Sequence, residues 1–186
     1  MNICLYGASS NDIDNCYIEQ TEILGERLAK RGHSLVFGGG NGGLMGAAAR
    51  GAQRENGEII GIAPRFFKPD GVLFENCTEF IFTETMRERK GIMEQRSDAF
   101  IMTPGGIGTF DEFFEILTLK QLGRHAKPIA IFNINGYFDE LDKMLHKAME
   151  KRFMSAESRR LWASFEDPDE LLSYIENYKD NKRICK

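Results

Sequence analysis

Residues 97–123 constrain this chain more than any other stretch. Ser97-Asp98-Ala99-Phe100-Ile101-Met102 has the length and apolar content of a short buried strand. It runs into Pro104-Gly105-Gly106-Ile107-Gly108-Thr109, and Phe110, Phe113, Phe114, Leu117 and Gln121 then recur with helical spacing, which predicts a helix over 110–122. A glycine-rich turn from strand to helix presents unpaired amide N–H groups at the positive end of a helix dipole, a place suited to a phosphate. Thr109 either caps that helix or offers its hydroxyl to the same anion. Glu112 has two readings: the N3 acid of a capping box reaching back to Thr109, or a carboxylate turned toward a ligand.

The segment upstream favours a ligand. On a helix over 85–96, Met86, Arg89, Lys90, Met93 and Ser97 share one stripe, whereas Arg87, Glu88, Glu94 and Gln95 fall elsewhere. Two cations on a stripe with two methionines need partners, because burying a charge unpaired costs several kcal/mol. An ion pair within the protein or an anionic ligand would each serve; arginine supplies a planar fork and lysine a compact charge.

Strand and helix patterns alternate along the whole chain. Strands are expected at 3–6, 34–37, 58–62, 79–83, 99–102, 128–132 and 161–165. Helices are expected at 14–30, 44–55, 85–96, 110–122, 137–152 and 169–178, the last with Pro168 in its first turn. This alternation predicts an α/β fold: a single-domain, Rossmann-like, doubly wound parallel sheet over 1–180 with helices on both faces, and a loose tail at 181–186. Segment 63–78, broken by Pro64, Pro69 and Gly71 and carrying Phe66, Phe67 and Phe74, is either a lid or dimer contact, or a buried connector.

Parallel sheets bind ligands at the carboxyl ends of their strands. Three loops have that position and a suitable composition: Gly7-Ala8-Ser9, the run from Gly38 through Gly39, Gly40, Asn41, Gly42 and Gly43 to Met45 and Gly46, and Gly105 to Thr109 with Ile107 between. They place Ser9, Gly39, Gly40, Gly42, Gly43, Met45, Gly105 and Ile107 in the expected substrate-binding set. Gly38-x-Gly40-x-x-Gly43 matches the dinucleotide fingerprint formally, but Glu58 precedes its strand, where a ribose-binding acid would close it. The loop also lacks the Lys-Ser/Thr of a P-loop, so a mononucleotide is the better expectation.

Composition narrows the classes. A net charge of −4 and no long basic run argue against nucleic acid. No apolar stretch has spanning length and the amino terminus lacks a basic leader, so neither membrane nor export is expected. Cys4, Cys16, Cys77 and Cys185 show neither a C-x-x-C pair nor zinc spacing, which fits free thiols, a cytoplasmic location and no metal. His33, His125 and His146 stand apart and are expected at the surface or in loops; Trp162 is expected in the core.

Taken together, Met86-Arg87-Glu88-Arg89-Lys90, Arg96-Ser97-Asp98-Ala99-Phe100-Ile101 and Pro104-Gly105-Gly106-Ile107-Gly108-Thr109-Phe110-Asp111-Glu112 resemble the signature of the Lonely guy family, long described as possible lysine decarboxylases. The likeness extends to Leu117-Thr118, Gln121-Leu122-Gly123, Lys127-Pro128-Ile129, Asn133 with Gly136-Tyr137, and the first glycine run. The resemblance implies a cytokinin riboside monophosphate phosphoribohydrolase that needs no cofactor, with Arg89 and Glu112 catalytic and Lys90, Gly106, Gly108, Thr109 and Thr118 contacting the nucleotide. It also implies a homodimer with sites near its interface. Arg87 replaces a histidine common in relatives, and Asp70 or Glu75 is the candidate for an acid that touches the base. Two other readings follow from the same resemblance: a non-catalytic nucleotide or cofactor carrier, and a decarboxylase using a pyridoxal Schiff base.

Overall fold

A computed structural model describes residues 1–179; residues 180–186, with Cys185 and the expected loose tail, lie outside the described residues, as do the side chains of Pro69 and Asp70. Among the described residues seven strands form one sheet: β1 (Asn2–Tyr6), β2 (Ser34–Phe37), β3 (Ile59–Pro64), β4 (Glu79–Thr83), β5 (Ala99–Met102), β6 (Ile129–Phe132) and β7 (Ala163–Phe165). Their order across the sheet is β4-β3-β2-β1-β5-β6-β7, with every neighbour parallel. The helices are α1 (Asn15–Lys30), α2 (Gly43–Arg54), α3 (Met86–Arg96), α4 (Ile107–Gln121), α5 (Asp139–Glu150) and α6 (Pro168–Glu176). This is the doubly wound, Rossmann-like α/β architecture that the alternation predicts.

Each face of the sheet has its own core. Leu24 and Leu28 of α1, Ala48, Ala49 and Ala52 of α2, and Leu171, Leu172 and Ile175 of α6 cover one face over Ile3, Leu5, Leu35 and Phe37. Met93 of α3, Phe113, Ile116 and Leu117 of α4, and Leu145 of α5 cover the other over Cys4, Tyr6, Val36 and Phe100, with Trp162 in the same cluster. Small residues on α2 let α1 pack close, since a Cβ on Gly25 or Gly51 would collide with the opposite backbone. Strand order reverses between β1 and β5, so the loops leaving them part toward opposite faces and open a crevice.

Several boundaries shift: β3 runs on to Pro64, and β7 begins at Ala163, not 161, because Leu161 closes a 3₁₀ turn (Ala156–Arg160); two helix starts differ for local reasons. The helix expected from 137 begins at Asp139, with Phe138 (φ −98°, ψ 9°) as a non-helical N-cap whose N–H goes to Asn133 Oδ1 at 2.7 Å. The helix expected from Phe110 begins at Ile107, with Gly106 as its N-cap and the first intrahelical bond from Phe110 N–H to the Gly106 carbonyl at 3.0 Å. Thr109 is therefore inside the helix and Glu112 sits in its second turn, which removes the capping-box reading. Segment 63–78 is a 3₁₀ turn (Arg65–Asp70) followed by an arm that buries Phe74 against Phe37. Asn41 N–H donates to the Val72 carbonyl and Phe74 N–H to the Gly39 carbonyl, each at 2.8 Å, tying the arm to the first glycine loop.

Candidate active site

The crevice at the switch point is a cleft of about 800 Å³. Its floor is Gly38, Arg89 and Glu112; one wall is the amino-terminal mouth of α4 with Gly106, Ile107, Gly108 and Thr109. The opposite side is built by Ser9, Asn11, Gly40, Gly42 and Met45. Phe67, Val72 and Leu73 of the arm, with Met86 of α3, add an apolar flank. A pocket of this size with a few convergent polar groups is a normal small-molecule site.

At the floor, Arg89 Nη1 lies 2.7 Å from Glu112 Oε1, although the two residues are 23 positions apart on separate helices. Arg89 is 6% exposed and Glu112 8%. Arg89 Nε also donates to the Ile62 carbonyl at 3.2 Å, which fixes the guanidinium plane. Gly38 makes room for this fork, since a Cβ there would collide with Nη2. Burial pushes the Glu112 carboxyl above its ordinary value, and the adjacent guanidinium pulls back against that rise. Beneath the pair, burial raises the Tyr6 phenol well above its usual range. Removing one partner of such a pair leaves a buried charge unmatched and typically costs 3–5 kcal/mol.

Two helix mouths face the cleft. At α4, the N–H groups of Ile107, Gly108 and Thr109 precede the first intrahelical bond, and a Cβ on Gly106 or Gly108 would meet no atom within 4 Å. Ile107 is 88% exposed at this rim. At α2, Gly43 N–H donates to Asn11 Oδ1 at 2.7 Å, and the Leu44 and Met45 N–H groups go to the Ala8 carbonyl at 2.8 and 3.3 Å. The α4 mouth is open to an anion; the α2 mouth is filled by the loop after β1.

Of the residues expected to bind substrate, Ser9, Gly40, Gly42, Met45, Gly106, Ile107, Gly108 and Thr109 line the cleft beside Arg89 and Glu112. Gly39, Gly43 and Gly105 stand just behind its surface. Gly39 takes a left-handed conformation (φ 74°) against Phe80, Gly43 another (φ 55°) against the Ala8 carbonyl, and Gly105 packs under Thr109. Lys90 and Thr118 lie off the cleft: Lys90 pairs with Asp111 at 2.9 Å and with Glu115, and Thr118 faces outward on α4. Glu75 is exposed and does not line the cleft; the Asp70 side chain lies outside the described residues. His33, in the loop before β2, reaches Glu176 at 2.9 Å with its side chain only 9% exposed, and His146 lies exposed on α5 near Asp142. His125 is instead half-buried, with Nε2 2.9 Å from the Ile116 carbonyl, because its loop folds back over Phe100. The expected set omits Gly38, Asn11 and the apolar flank. Gly38 is visible in sequence as one more loop glycine, but nothing there says that an arginine from another helix needs its space.

Fold and cleft define a Rossmann-like α/β protein with a buried acid–guanidinium pair at its switch point. The family described as "Possible lysine decarboxylase" matches residues 45–175. Among curated proteins, the cytokinin riboside 5'-monophosphate phosphoribohydrolase LOG2 of Arabidopsis thaliana is 36% identical over 176 residues, covering 95% of this chain and 83% of the relative. The probable enzyme of the same name LOGL9 of Oryza sativa subsp. japonica is also 36% identical, covering 95% and 78%. The chain belongs to this family, the Lonely guy family. Among solved structures, the molybdenum cofactor binding protein of Rippkaea orientalis shares the fold with a TM-score of 0.73 at 23% identity, covering 94% of each chain. The molybdenum cofactor carrier protein of Chlamydomonas reinhardtii does so with a TM-score of 0.71 at 20% identity, covering 94% and 95%.

Proposed function

We propose that this protein is a hydrolase that cleaves the N-glycosidic bond of adenosine 5'-monophosphates, N6-substituted ones included, to free base and ribose 5-phosphate. The observation that carries the reading is the 2.7 Å Arg89–Glu112 pair, buried at the floor of a cleft whose rim is an open helix mouth. The 5'-phosphate rests on the amides of residues 106–109, where dipole and N–H groups favour an anion. That grip brings the anomeric carbon over Glu112. Cleavage passes through an oxocarbenium-like sugar, and the Glu112 carboxylate steadies that charge and orients the attacking water. Arg89 keeps its proton throughout, so it acts by holding Glu112 ionised and placed, not as an acid. The apolar flank of Phe67, Val72, Leu73 and Met86 suits a base with an apolar substituent. Ser9, Gly40, Gly42 and Met45 complete the ribose side, with Gly39, Gly43 and Gly105 setting the backbone that carries them.

A pyridoxal-dependent decarboxylase needs a lysine in the site for its Schiff base. Among the described residues no lysine lines the cleft, and the nearby Lys90 is held by Asp111 and Glu115 on the outside of α4, so the residues do not fit that cofactor. A carrier of the same fold is the second reading, favoured by the fold neighbours; such a protein would bind nucleotide and leave it intact. The decisive assay incubates the purified protein with AMP and with isopentenyl-AMP and measures free base and ribose 5-phosphate. Release of both products supports the hydrolase, and tight binding without release supports the carrier.

We further read the working form as a homodimer in the cytoplasm. Phe114 and Leu122 leave apolar surface exposed on α4 and at its end, on the helix that carries Thr118, and Cys4, Cys16 and Cys77 are unpaired thiols. No described helix is long and apolar enough to cross a membrane. Gel filtration at micromolar concentration should give the mass of two chains; a fully active monomer would count against a shared site.

A further inference from the structure

Tyr137 belongs to neither helix that carries the charged pair, yet its hydroxyl donates to the Gly105 carbonyl at 2.8 Å across 32 positions of sequence. The turn that presents it is unusual. Asn135 (φ 52°) and Gly136 (φ 69°) are consecutive left-handed residues, a conformation asparagine adopts where its surroundings enforce it. Here the surroundings do. Asn135 Nδ2 donates to Cys16 Sγ at 2.8 Å, Phe138 N–H to Asn133 Oδ1 at 2.7 Å, and Asn133 Nδ2 to Asp139 Oδ1 at 2.8 Å. The Tyr137 ring is wedged edge-on against Tyr17 of α1 and Phe138, with centroids 6.1 and 4.9 Å away. The backbone is thus braced and the ring, 43% exposed, is held along one side, and together they deliver one hydroxyl aimed at one carbonyl.

The carbonyl it meets lies at the root of the α4 mouth. In a trans peptide the carbonyl and the following N–H point in opposite directions. Drawing the Gly105 carbonyl toward Tyr137 therefore turns the Gly106 N–H away from it, and Gly106 lines the cleft. Glycine on both sides of this peptide gives it little resistance of its own to rotation. The bond to Tyr137 supplies that resistance, and a donor on the carbonyl also polarises the N–H of the same peptide.

We infer that Tyr137 is a positioning residue for phosphate recognition: it locks the Gly105–Gly106 peptide so that the Gly106 N–H joins those of Ile107, Gly108 and Thr109 around the anion. This rests on the placement of the 5'-phosphate at the α4 mouth. The test compares the wild-type protein with Tyr137→Phe, which keeps the ring and its packing and removes only the hydroxyl. Calorimetry is run with ribose 5-phosphate and, separately, with adenine. The variant should bind ribose 5-phosphate about five-fold more weakly, the worth of one neutral hydrogen bond, and bind adenine unchanged. In turnover with AMP the loss should fall on KM and leave kcat in place, with the melting temperature lowered only by the few degrees that one lost hydrogen bond accounts for. An equal change for both ligands, or no change for either, overturns the inference. Wild-type protein that binds ribose 5-phosphate but releases no base from AMP overturns the hydrolase reading, and the two-ligand ratio still judges Tyr137. Wild-type protein that releases base from AMP yet does not bind ribose 5-phosphate overturns the phosphate placement and the inference with it, and leaves the hydrolase reading standing.

Discussion

The turn from β2 into α2 and the turn from β5 into α4 are both glycine-rich, both leave a parallel strand at the same edge of the sheet, and both end in a helix that faces the cleft. Their amides have opposite fates. At α2 the loop after β1 folds into the mouth, and Ala8 and Asn11 accept from Gly43, Leu44 and Met45. At α4 the corresponding groups of Ile107, Gly108 and Thr109 precede the first intrahelical bond, and the space beside Gly106 and Gly108 is open. The difference teaches that glycine content marks where a backbone comes close to something, and tertiary neighbours decide whether that something is protein or ligand. The α2 glycines are structural: left-handed at Gly39 and Gly43, and at Gly38 vacant to admit Arg89. At the α4 turn Gly105 is packed against Thr109 and Ala8, whereas Gly106 and Gly108 are vacant toward solvent.

Changing each mouth should produce effects of different kinds. The largest belongs to the acid beneath the open mouth: Glu112→Gln should lower base release from AMP by about a thousandfold, the scale seen when one transition-state charge partner is lost. AMP binding by calorimetry should stay nearly unaltered. Retained turnover in that variant would dismiss Glu112 from the chemistry. Next comes the closed mouth. Gly43→Ala places a Cβ against the Ala8 carbonyl on a left-handed backbone, and should cost about 1–3 kcal/mol in chemical denaturation. If Gly43→Ala leaves stability alone, the α2 mouth is not the packed plug described here.

Gly108→Ala should do the reverse, which sharpens the contrast. Its Cβ meets nothing in the protein, and alanine in a helix is better than glycine by about 0.5–1 kcal/mol, so the protein should melt slightly higher. Ribose 5-phosphate should nonetheless bind roughly tenfold more weakly, because the methyl intrudes where an anion takes charge-assisted bonds worth about 1.5–3 kcal/mol. Stronger binding would remove the phosphate from this mouth.

The finest effect is the position of a pH limb. Burial holds the Glu112 carboxyl above its ordinary 4.5. A raised folded-state value means that the protonated form is the one folding favours. The stability Glu112 contributes is full below 4.5 and falls as pH rises through the raised value. Activity needs the ionised form, so kcat/KM should rise through the same window in which stability declines. Opposed trends in melting temperature and kcat/KM across that window would locate the limb on Glu112; a limb centred at or below the ordinary value would assign it elsewhere.

Much of this was legible from residue order. Alternating apolar strands and amphipathic helices are local patterns and predict a parallel sheet, but the return that seats β5 beside β1 is not local. Residue pattern places Arg89 and Glu112 on helices beside strand ends and leaves an ion pair or a capping box open for them; the resemblance to the Lonely guy family is what implies a catalytic role. Less legible was where α4 begins. Three residues of extra helix moved Thr109 off the cap and turned Glu112 from a possible N3 acid into a second-turn side chain aimed at the cleft. The glycines of 105–108 read as loop by propensity, yet once a fixed N-cap carbonyl accepts from Phe110 the helix propagates from Gly106.

By itself the sequence determined the parallel sheet and the three glycine-bearing loops at its carboxyl edge, because periodicity and spacing are properties of neighbouring residues, while the roles of Arg89 and Glu112 came from resemblance to a family. Tertiary structure alone decided which mouth stays open, which glycine admits Arg89, that Lys90 and Thr118 fall outside the cleft, and that a tyrosine 32 positions away grips Gly105. Those outcomes depend on which atoms compete for the same few cubic ångströms and the same amide protons, and that competition is between segments distant in the chain.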